Sequence, residues 1–171
     1  LFNQTIAEPK FVTVINNNRI AINQREYYNK TLINLGRQWQ LVGAYHYLYT
    51  PFNNYVYNNH VGLVGIRYNG AAVSVQADAL FGRLTDTSMS QFNARLEWLP
   101  GGNLDMYIFG TASVSSRSGE TRFNFKPVVG AKVMNRLWLE ANATLGVFSN
   151  FVENDGLYVY NAIDPNRLKA G

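Results

Sequence analysis

The sequence predicts an all-β protein, namely an antiparallel up-and-down β-barrel that crosses a membrane. The first observation is alternation: between residues 122 and 148, apolar residues occupy every second position on both sides of a turn at Met134-Asn135-Arg136. A period of two is typical of a strand whose two faces have different surroundings. The second observation is length, because both strands span eleven or more residues. Soluble strands average about five or six, whereas a tilted membrane strand needs about 9–11.

The third observation is the distribution of charge between the two faces. Over the five clearest strands between residues 71 and 147, the apolar faces hold 28 residues and no charge, whereas the opposite faces hold eight charged residues. With 15% of all residues charged, chance would place about four charges among those 28 positions. A charge that faces the middle of a bilayer costs about 2–4 kcal/mol, which explains the exclusion. Burial in a soluble core would also exclude charge, so a soluble β-sandwich stays open as an alternative.

The N-terminal region, residues 1–36, carries the weakest pattern. We predict a short hairpin there, with residues 11–15 and 19–23 on either side of Asn16-Asn17-Asn18, followed by a loop at residues 26–30. We separate this hairpin and loop region from residues 37–171, which we assign to the strands of the barrel.

The barrel region is predicted to contain eight strands and the start of a ninth. They share the alternation of apolar and polar residues and cover residues 37–49, 61–68, 71–81, 91–98, 104–114, 122–133, 137–147 and 157–163, with the ninth beginning at residue 167. Short turns at 69–70, 99–102, 134–136 and 164–166 alternate with long loops at 50–59, 82–90, 115–121 and 149–156. Short turns at one end and long loops at the other are typical of membrane barrels.

Asn69-Gly70 is the clearest turn signal, since a two-residue type I′ turn favours this dipeptide. Such a turn pairs Tyr68 with Ala71 and Ile66 with Val73. The apolar faces of the two strands then coincide, so the register is self-consistent.

The charged residues of the polar faces are the candidate functional residues, predicted to face the lumen: Asp78, Arg95, Glu97, Asp105, Arg122, Lys126, Lys132 and Glu140. Two interpretations are open. In one, cross-strand ion pairs such as Arg95 with Asp105 and Lys132 with Glu140 fill a closed lumen. In the other, cations on one wall and anions on another set a transverse field that screens polar solutes in a pore.

Aromatic residues near the strand ends are predicted to lie at the two lipid interfaces, where membrane barrels carry aromatic girdles. They are Trp39, Tyr49, Tyr68, Phe81, Trp98 and Phe123.

Other chemistry finds little support in the sequence. There is no cysteine, the net charge of +4 is dispersed, and no phosphate-binding or dinucleotide motif occurs, so we predict no metal, no cofactor and no nucleic-acid partner. Neither His46 nor His60 has partners at metal-ligand spacing. His46 with a serine is the one enzymatic option, and no spacing selects a serine. The run 153–156 is interpreted as a plain loop in preference to a calcium loop.

Several runs resemble Gram-negative outer-membrane β-barrel proteins, and their Asn/Tyr-rich character is similar to those of the Bacteroidota. They are Tyr45-His46-Tyr47-Leu48-Tyr49, Asn69-Gly70, Gln91-Phe92-Asn93-Ala94-Arg95-Leu96-Glu97-Trp98 and Leu137-Trp138-Leu139-Glu140. The resemblance covers about residues 37–163. Barrels of this type usually close on a strand with a terminal aromatic, whereas this sequence ends at Leu168-Lys169-Ala170-Gly171. We therefore expect a segment of a larger barrel.

The resemblance implies a location in the outer membrane and contact with its lipid. The expected function is a porin-like pore, or a barrel subunit of an envelope transport or secretion complex with other subunits as partners, and no enzyme activity is expected. The alternatives are a soluble β-sandwich or lipocalin-like binding module and, third, an outer-membrane hydrolase.

Overall fold

In the computed structural model, which describes residues 2–12, 22–52, 55–147, 151–160 and 168–170, the protein is all-β. The strands of these ranges are β1 (Phe2–Val12), β2 (Ile22–Asn34), β3 (Trp39–Phe52), β4 (Tyr55–Asn69), β5 (Val73–Leu84), β6 (Thr87–Trp98), β7 (Met106–Arg117), β8 (Glu120–Met134), β9 (Leu137–Gly146), β10 (Phe151–Glu153), β11 (Tyr158–Tyr160) and β12 (Leu168–Ala170). Within the same ranges, no helix is long and apolar enough to span a membrane.

Ten of the strands form one antiparallel sheet in the order β1 to β9 and then β12. From β1 to β9 each strand pairs with the next strand in the chain, which confirms the predicted antiparallel up-and-down order. β1 and β2 belong to this sheet, whereas among the described residues β10 and β11 form a separate two-stranded sheet. Among the described residues the sheet ends at β1 and β12, and no ladder joins these two strands into a closed barrel.

The two faces of the sheet differ as the alternation predicts, and the apolar face is the exposed one. On β6, Phe92 is 56% exposed while its neighbour Gln91 is 0% exposed. The exposed apolar residues also include Val64 and Ile66 of β4 and Phe81 of β5. The apolar residues that are buried belong to the opposite, polar face, where one cluster unites Val42, Val61, Leu63, Leu80, Leu84 and Met89 with Val152. We call this opposite face the inner face.

Three predicted long loops are wrong, because the strands run through most of their residues: 50–59, 82–90 and 115–121. β5 and β6 are joined by Thr85 and Asp86, with φ of 49° and 60°, and β7 and β8 by Ser118 and Gly119, with φ of 52° and 81°. Positive φ at both central residues is the type I′ hairpin geometry, which needs only two residues. The predicted alternation of short turns with long loops therefore does not hold for these connections.

The predicted loop at residues 26–30 is also wrong, since these residues form the middle of β2. Arg25 to Asn34 pair with β3, and this ladder holds the polar run in a strand. The predicted turn at Asn16-Asn17-Asn18 lies outside the described residues.

The predicted register at Asn69-Gly70 is wrong by four residues. Tyr68 pairs with Val75 instead of Ala71, and the Gly70 amide donates to the carbonyl oxygen of Val73 (2.7 Å) in a wider turn. A shift of four residues keeps every side chain on its own face, so the alternation cannot distinguish the two registers.

The C-terminal part departs furthest from prediction. Residues 157–163, predicted as a strand of the barrel, contribute the short β11, whose partner is β10 from the predicted loop 149–156. The predicted strand beginning at residue 167 is confirmed as β12, which pairs with β9. The turn predicted at 164–166 lies outside the described residues.

Candidate functional site

The hairpin of β10 and β11, which we call the inner hairpin, lies against the inner face of the sheet. Its turn carries three successive residues with positive φ: Asn154 (50°), Asp155 (57°) and Gly156 (90°). Asn and Asp tolerate this left-handed region better than other residues with a Cβ, and glycine enters it freely. The sequence Asn-Asp-Gly thus makes a tight turn that projects Asp155 toward the sheet.

Asp155 is the centre of the site. Its carboxylate lies 2.5 Å from Lys30 Nζ and 3.3 Å from Arg95 Nη2, and it accepts a hydrogen bond from Gln76 Nε2 (2.7 Å). Its backbone carbonyl accepts from the Tyr28 hydroxyl (3.2 Å). The residue is only 5% exposed, and a buried carboxylate needs such charged and hydrogen-bonding partners because it has lost its hydration.

The balance of these effects keeps Asp155 ionised. Burial raises the pKa of its carboxyl, but the charge of Arg95 and the hydrogen bond and charge of Lys30 lower it by more. The pKa of Asp155 therefore lies below its ordinary range. At neutral pH the negatively charged Asp155 carboxylate thus lies between the cations of Lys30 and Arg95.

Val152 and Glu153, which precede this turn in the inner hairpin, also contact the sheet. The Val152 amide donates to Gln91 Oε1 (3.1 Å), and Gln91 Nε2 donates to the Val152 carbonyl (2.7 Å). The Gln91 side chain therefore makes the two hydrogen bonds with Val152 that the backbone of a neighbouring strand would make. The Val152 side chain is buried in the apolar cluster of the inner face, and Glu153 lies 3.3 Å from Lys126 Nζ.

His46 adds a further contact to the hairpin. Its Nδ1 lies 2.7 Å from the Gly156 carbonyl, to which it donates because a carbonyl only accepts, and its Nε2 lies 3.1 Å from Glu26 Oε1. The ring packs edge-on against Tyr28. Both nitrogens thus face main-chain or carboxylate oxygens and not a serine, so this geometry adds nothing to the hydrolase hypothesis. His60 contacts the Tyr45 hydroxyl (2.7 Å) and is exposed.

Four of the eight predicted lumen charges lie near the inner hairpin. Arg95 and Lys126 contact it directly, as described above. Asp78 is buried and accepts hydrogen bonds from Gln76 Nε2 and Asn93 Nδ2, at 2.9 and 2.6 Å. Glu97 forms an ion pair with Arg67 at 2.7 Å.

The other four predicted charges lie toward the ends of the strands. Asp105, in the turn after β6, is 3.8 Å from Lys132 Nζ. Arg122 forms an ion pair with Glu120 at 2.7 Å. Glu140 accepts a hydrogen bond from the Tyr107 hydroxyl. The site assembled around Asp155 does not include them.

Both predicted cross-strand pairs are wrong. Arg95 pairs across the sheet with Thr111, not Asp105, because β7 begins only at Met106 after a turn longer than predicted. The ladder of β8 with β9 places Lys132 opposite Trp138 and Glu140 opposite Gly130, two residues from the predicted register.

The predicted interface aromatics lie in two rows at opposite ends of the sheet. At the end where β3 begins, the row consists of Trp39, Tyr68 and Trp98. At the end where β3 finishes, the row consists of Tyr49, Phe81 and Phe123. Trp39 and Tyr68 are cross-strand partners, with ring centroids 5.1 Å apart.

Sequence reasoning missed five residues of the site: Lys30, Gln76, Gln91, Glu153 and Asp155. Lys30 fell in a predicted loop, and neither glutamine was among the predicted site residues. Glu153 and Asp155 fell in the run 153–156, which was interpreted as a plain loop in preference to a calcium loop. Nothing in the local pattern signals that this loop folds back onto the sheet, since its contacts join residues between 27 and 127 positions apart.

A cavity of about 220 Å³ lies beside the inner hairpin. Its wall includes polar and charged side chains of β6 to β8 and of the hairpin, among them Asn93, Arg95, Glu97, Thr111, Lys126 and Glu153. In the part of the chain that the structure describes, no three His, Cys, Asp or Glu side chains are grouped to hold a metal ion.

Comparison of the chain with protein-family models, with curated proteins and with solved structures finds no match. The geometry of the described residues is therefore the basis of the functional proposal.

Proposed function

We propose that this chain forms part of the lipid-facing wall of an outer-membrane β-barrel, and that the barrel acts as a pore or transport subunit for polar solutes. The observation that carries the proposal is the inverted distribution of side chains. Large apolar residues of the sheet are exposed, whereas Asp78, Gln76 and Gln91 on its other face are buried. A soluble protein covers an apolar sheet face with a second layer, while lipid can cover it in a membrane.

The spacing of the aromatic rows supports a bilayer of ordinary thickness. Trp39 and Tyr49 are ten residues apart on β3, which corresponds to about 33 Å along the strand. At a strand tilt of about 45° this spans about 23 Å of membrane, close to the apolar band of about 25 Å in such barrels.

The contents of the inner face support a polar lumen that the inner hairpin partly fills. Paired cations and carboxylates line this face, including Lys30 with Asp155, Arg67 with Glu97 and Lys126 with Glu153. The cavity of about 220 Å³ beside them leaves room for water or a small solute. In the proposed barrel the sheet is closed by joining its edges or by further strands.

The first experiment uses the native gene product from the membrane fraction, run unheated and boiled on a detergent gel and then reconstituted in planar bilayers. The proposal predicts a heat-dependent shift in mobility and discrete conductance steps. A shift without conductance, with co-purifying envelope proteins, would favour the transport-subunit form over a free pore. Recovery in the soluble fraction with no shift would contradict the proposal and favour the soluble sandwich or lipocalin-like binding module.

A further inference from the structure

Two carboxylates of the inner hairpin are held by three cations of the inner face. Glu153 lies 3.3 Å from Lys126 Nζ, and Asp155 lies 2.5 Å from Lys30 Nζ and 3.3 Å from Arg95 Nη2. The cations come from three different strands, β2, β6 and β8. The inner face is therefore arranged to bind two carboxylates at once.

The cavity adjoins the contact of Glu153 with Lys126 and reaches Arg95, one of the two cations that hold Asp155. Arg95 and Lys126 line it from the sheet, and Glu153 and Asn154 line it from the hairpin. Its volume of about 220 Å³ corresponds to roughly seven water molecules at about 30 Å³ each. A small polar solute in this space would lie beside two of the three cations.

Charge balance shows what the inner face would bind without the hairpin. Removing Glu153 and Asp155 leaves Lys30, Arg95 and Lys126 without these carboxylates, and the buried Asp78 offsets one of the three charges. Glu97 in the cavity wall is balanced by its ion pair with Arg67. The side chains of Lys30 and Arg95 are only 20% and 19% exposed, and that of Lys126 is 38% exposed. Charge-assisted hydrogen bonds are about twice as strong as neutral ones, so these cations favour an anionic ligand over a neutral one.

We propose that Lys30, Arg95 and Lys126 form a binding site for small dicarboxylate solutes, and that Glu153 and Asp155 occupy this site as an internal competitor. The inference rests on the proposed function in treating the inner face as a path for solutes. It adds the substrate class and a regulation, because a dicarboxylate and the hairpin compete for the same cations.

The test measures binding of glutarate, whose two carboxylates are joined by a short flexible chain, to the detergent-purified protein by calorimetry. Glu153→Gln with Asp155→Asn should increase the affinity about tenfold or more over the parent, since two competing charge contacts are removed. The matched control is Asp86→Asn with Glu120→Gln, which removes the same charge from exposed ion pairs with Arg83 and Arg122. The control should bind glutarate as the parent does.

A second variant assigns the gain to the cations. Adding Arg95→Gln and Lys126→Gln to the hairpin variant should return glutarate affinity to the parent value or below it. The proposal is overturned if the folded hairpin variant binds no more tightly than the parent, or if the gain survives loss of the two cations. Far-UV circular dichroism establishes that each variant is folded.

The unmodified protein provides a test that needs no variant. At constant ionic strength, glutarate in place of chloride should accelerate hydrogen exchange of the Val152 amide, because a displaced hairpin loses its bond to Gln91. Unchanged exchange at glutarate concentrations up to solubility would overturn the proposal. These readouts need no bilayer or conductance, so their failure is separate from failure of the proposed pore.

Discussion

At the scale of single residues, Asp155 makes more charged contacts with the sheet than any other described residue of the inner hairpin. It joins Lys30, Gln76 and Arg95, which lie on β2, β5 and β6. Removing one member of a buried charge network leaves the others without compensation, which costs more than the net contribution of the network. Removing the Asp155 charge is therefore expected to lower the local stability of the docked hairpin by a large amount.

Asp155→Asn should accelerate hydrogen exchange of the Val152 amide about thirtyfold, equivalent to about 2 kcal/mol of local stability. The side-chain amide introduced at position 155 can still accept the hydrogen bond from Gln76 Nε2, but Lys30 and Arg95 lose the carboxylate that they contact. Asp86→Asn is the control, since Asp86 pairs with Arg83 at 3.3 Å in an exposed turn. Exposed pairs contribute little, so exchange in the control should stay within about twofold of the parent. Equal effects of the two changes would contradict the central role of Asp155.

The lowered pKa of Asp155 predicts that docking of the inner hairpin weakens in acid. Because the docked carboxyl has the lower pKa, the undocked state binds more protons. The Asp155 contribution is complete above about pH 4, the ordinary range of an Asp carboxyl, and is lost as pH falls through the docked value. Protection of the Val152 amide, corrected for intrinsic exchange, should show this loss. The same pH profile in Asp155→Asn would contradict the assignment.

At the scale of elements, glycines set how closely neighbouring strands can approach. A Cβ added to Gly82 on β5 would lie 2.1 Å from the carbonyl oxygen of His60 on β4, whereas one added to Gly43 would meet nothing within 4 Å. The His60 carbonyl group belongs to the backbone of β4, so it cannot rotate away from an added methyl group as a flexible side chain can. The β4–β5 pair therefore depends on Gly82.

Gly82→Ala should lower the free energy of unfolding in detergent by about 1–3 kcal/mol, because β4 must shift to accommodate the methyl group. Gly43→Ala is the matched control and should change it by less than about 0.5 kcal/mol. Urea unfolding followed by tryptophan fluorescence measures both. A neutral Gly82→Ala would contradict the close approach of the two strands.

The sequence was sufficient to predict the alternating strands, and insufficient for their lengths and registers. Alternation identifies which face a residue occupies, so the buried Asp78 was correctly assigned to the face opposite the exposed apolar residues. It cannot fix register, because the pairing of Tyr68 with Val75 preserves the same faces as the predicted pairing with Ala71. Polar residues such as Thr85 and Asp86 suggested a loop where they form a tight turn.

The candidate site was harder to predict than the sheet. Arg95 and Lys126 were identified as polar-face charges, but their partners Asp155 and Glu153 belong to a segment that no periodicity connects to the sheet. Contacts across such sequence separations depend on the tertiary fold, which local patterns do not encode.

At the scale of the whole molecule, the central claim is that lipid covers the exposed apolar face. The chain contains no cysteine, so single cysteines introduced along β6 can carry a spin label with no background. Positions Phe92, Ala94 and Leu96 lie on the apolar face, and Asn93, Arg95 and Glu97 lie on the inner face. Apolar oxygen concentrates in lipid, whereas a neutral nickel chelate stays in water, so their collision rates distinguish lipid, water and protein interior.

The measurement that tests this claim most directly is oxygen and nickel-chelate accessibility of these labels in the native protein reconstituted in lipid vesicles. The account predicts a period of two along β6, with high oxygen and low nickel accessibility at residues 92, 94 and 96 and low oxygen accessibility at 93, 95 and 97. High nickel accessibility at 92, 94 and 96 would place this face in water, and low accessibility to both reagents would place it in a protein core. Either result would contradict the lipid-facing barrel.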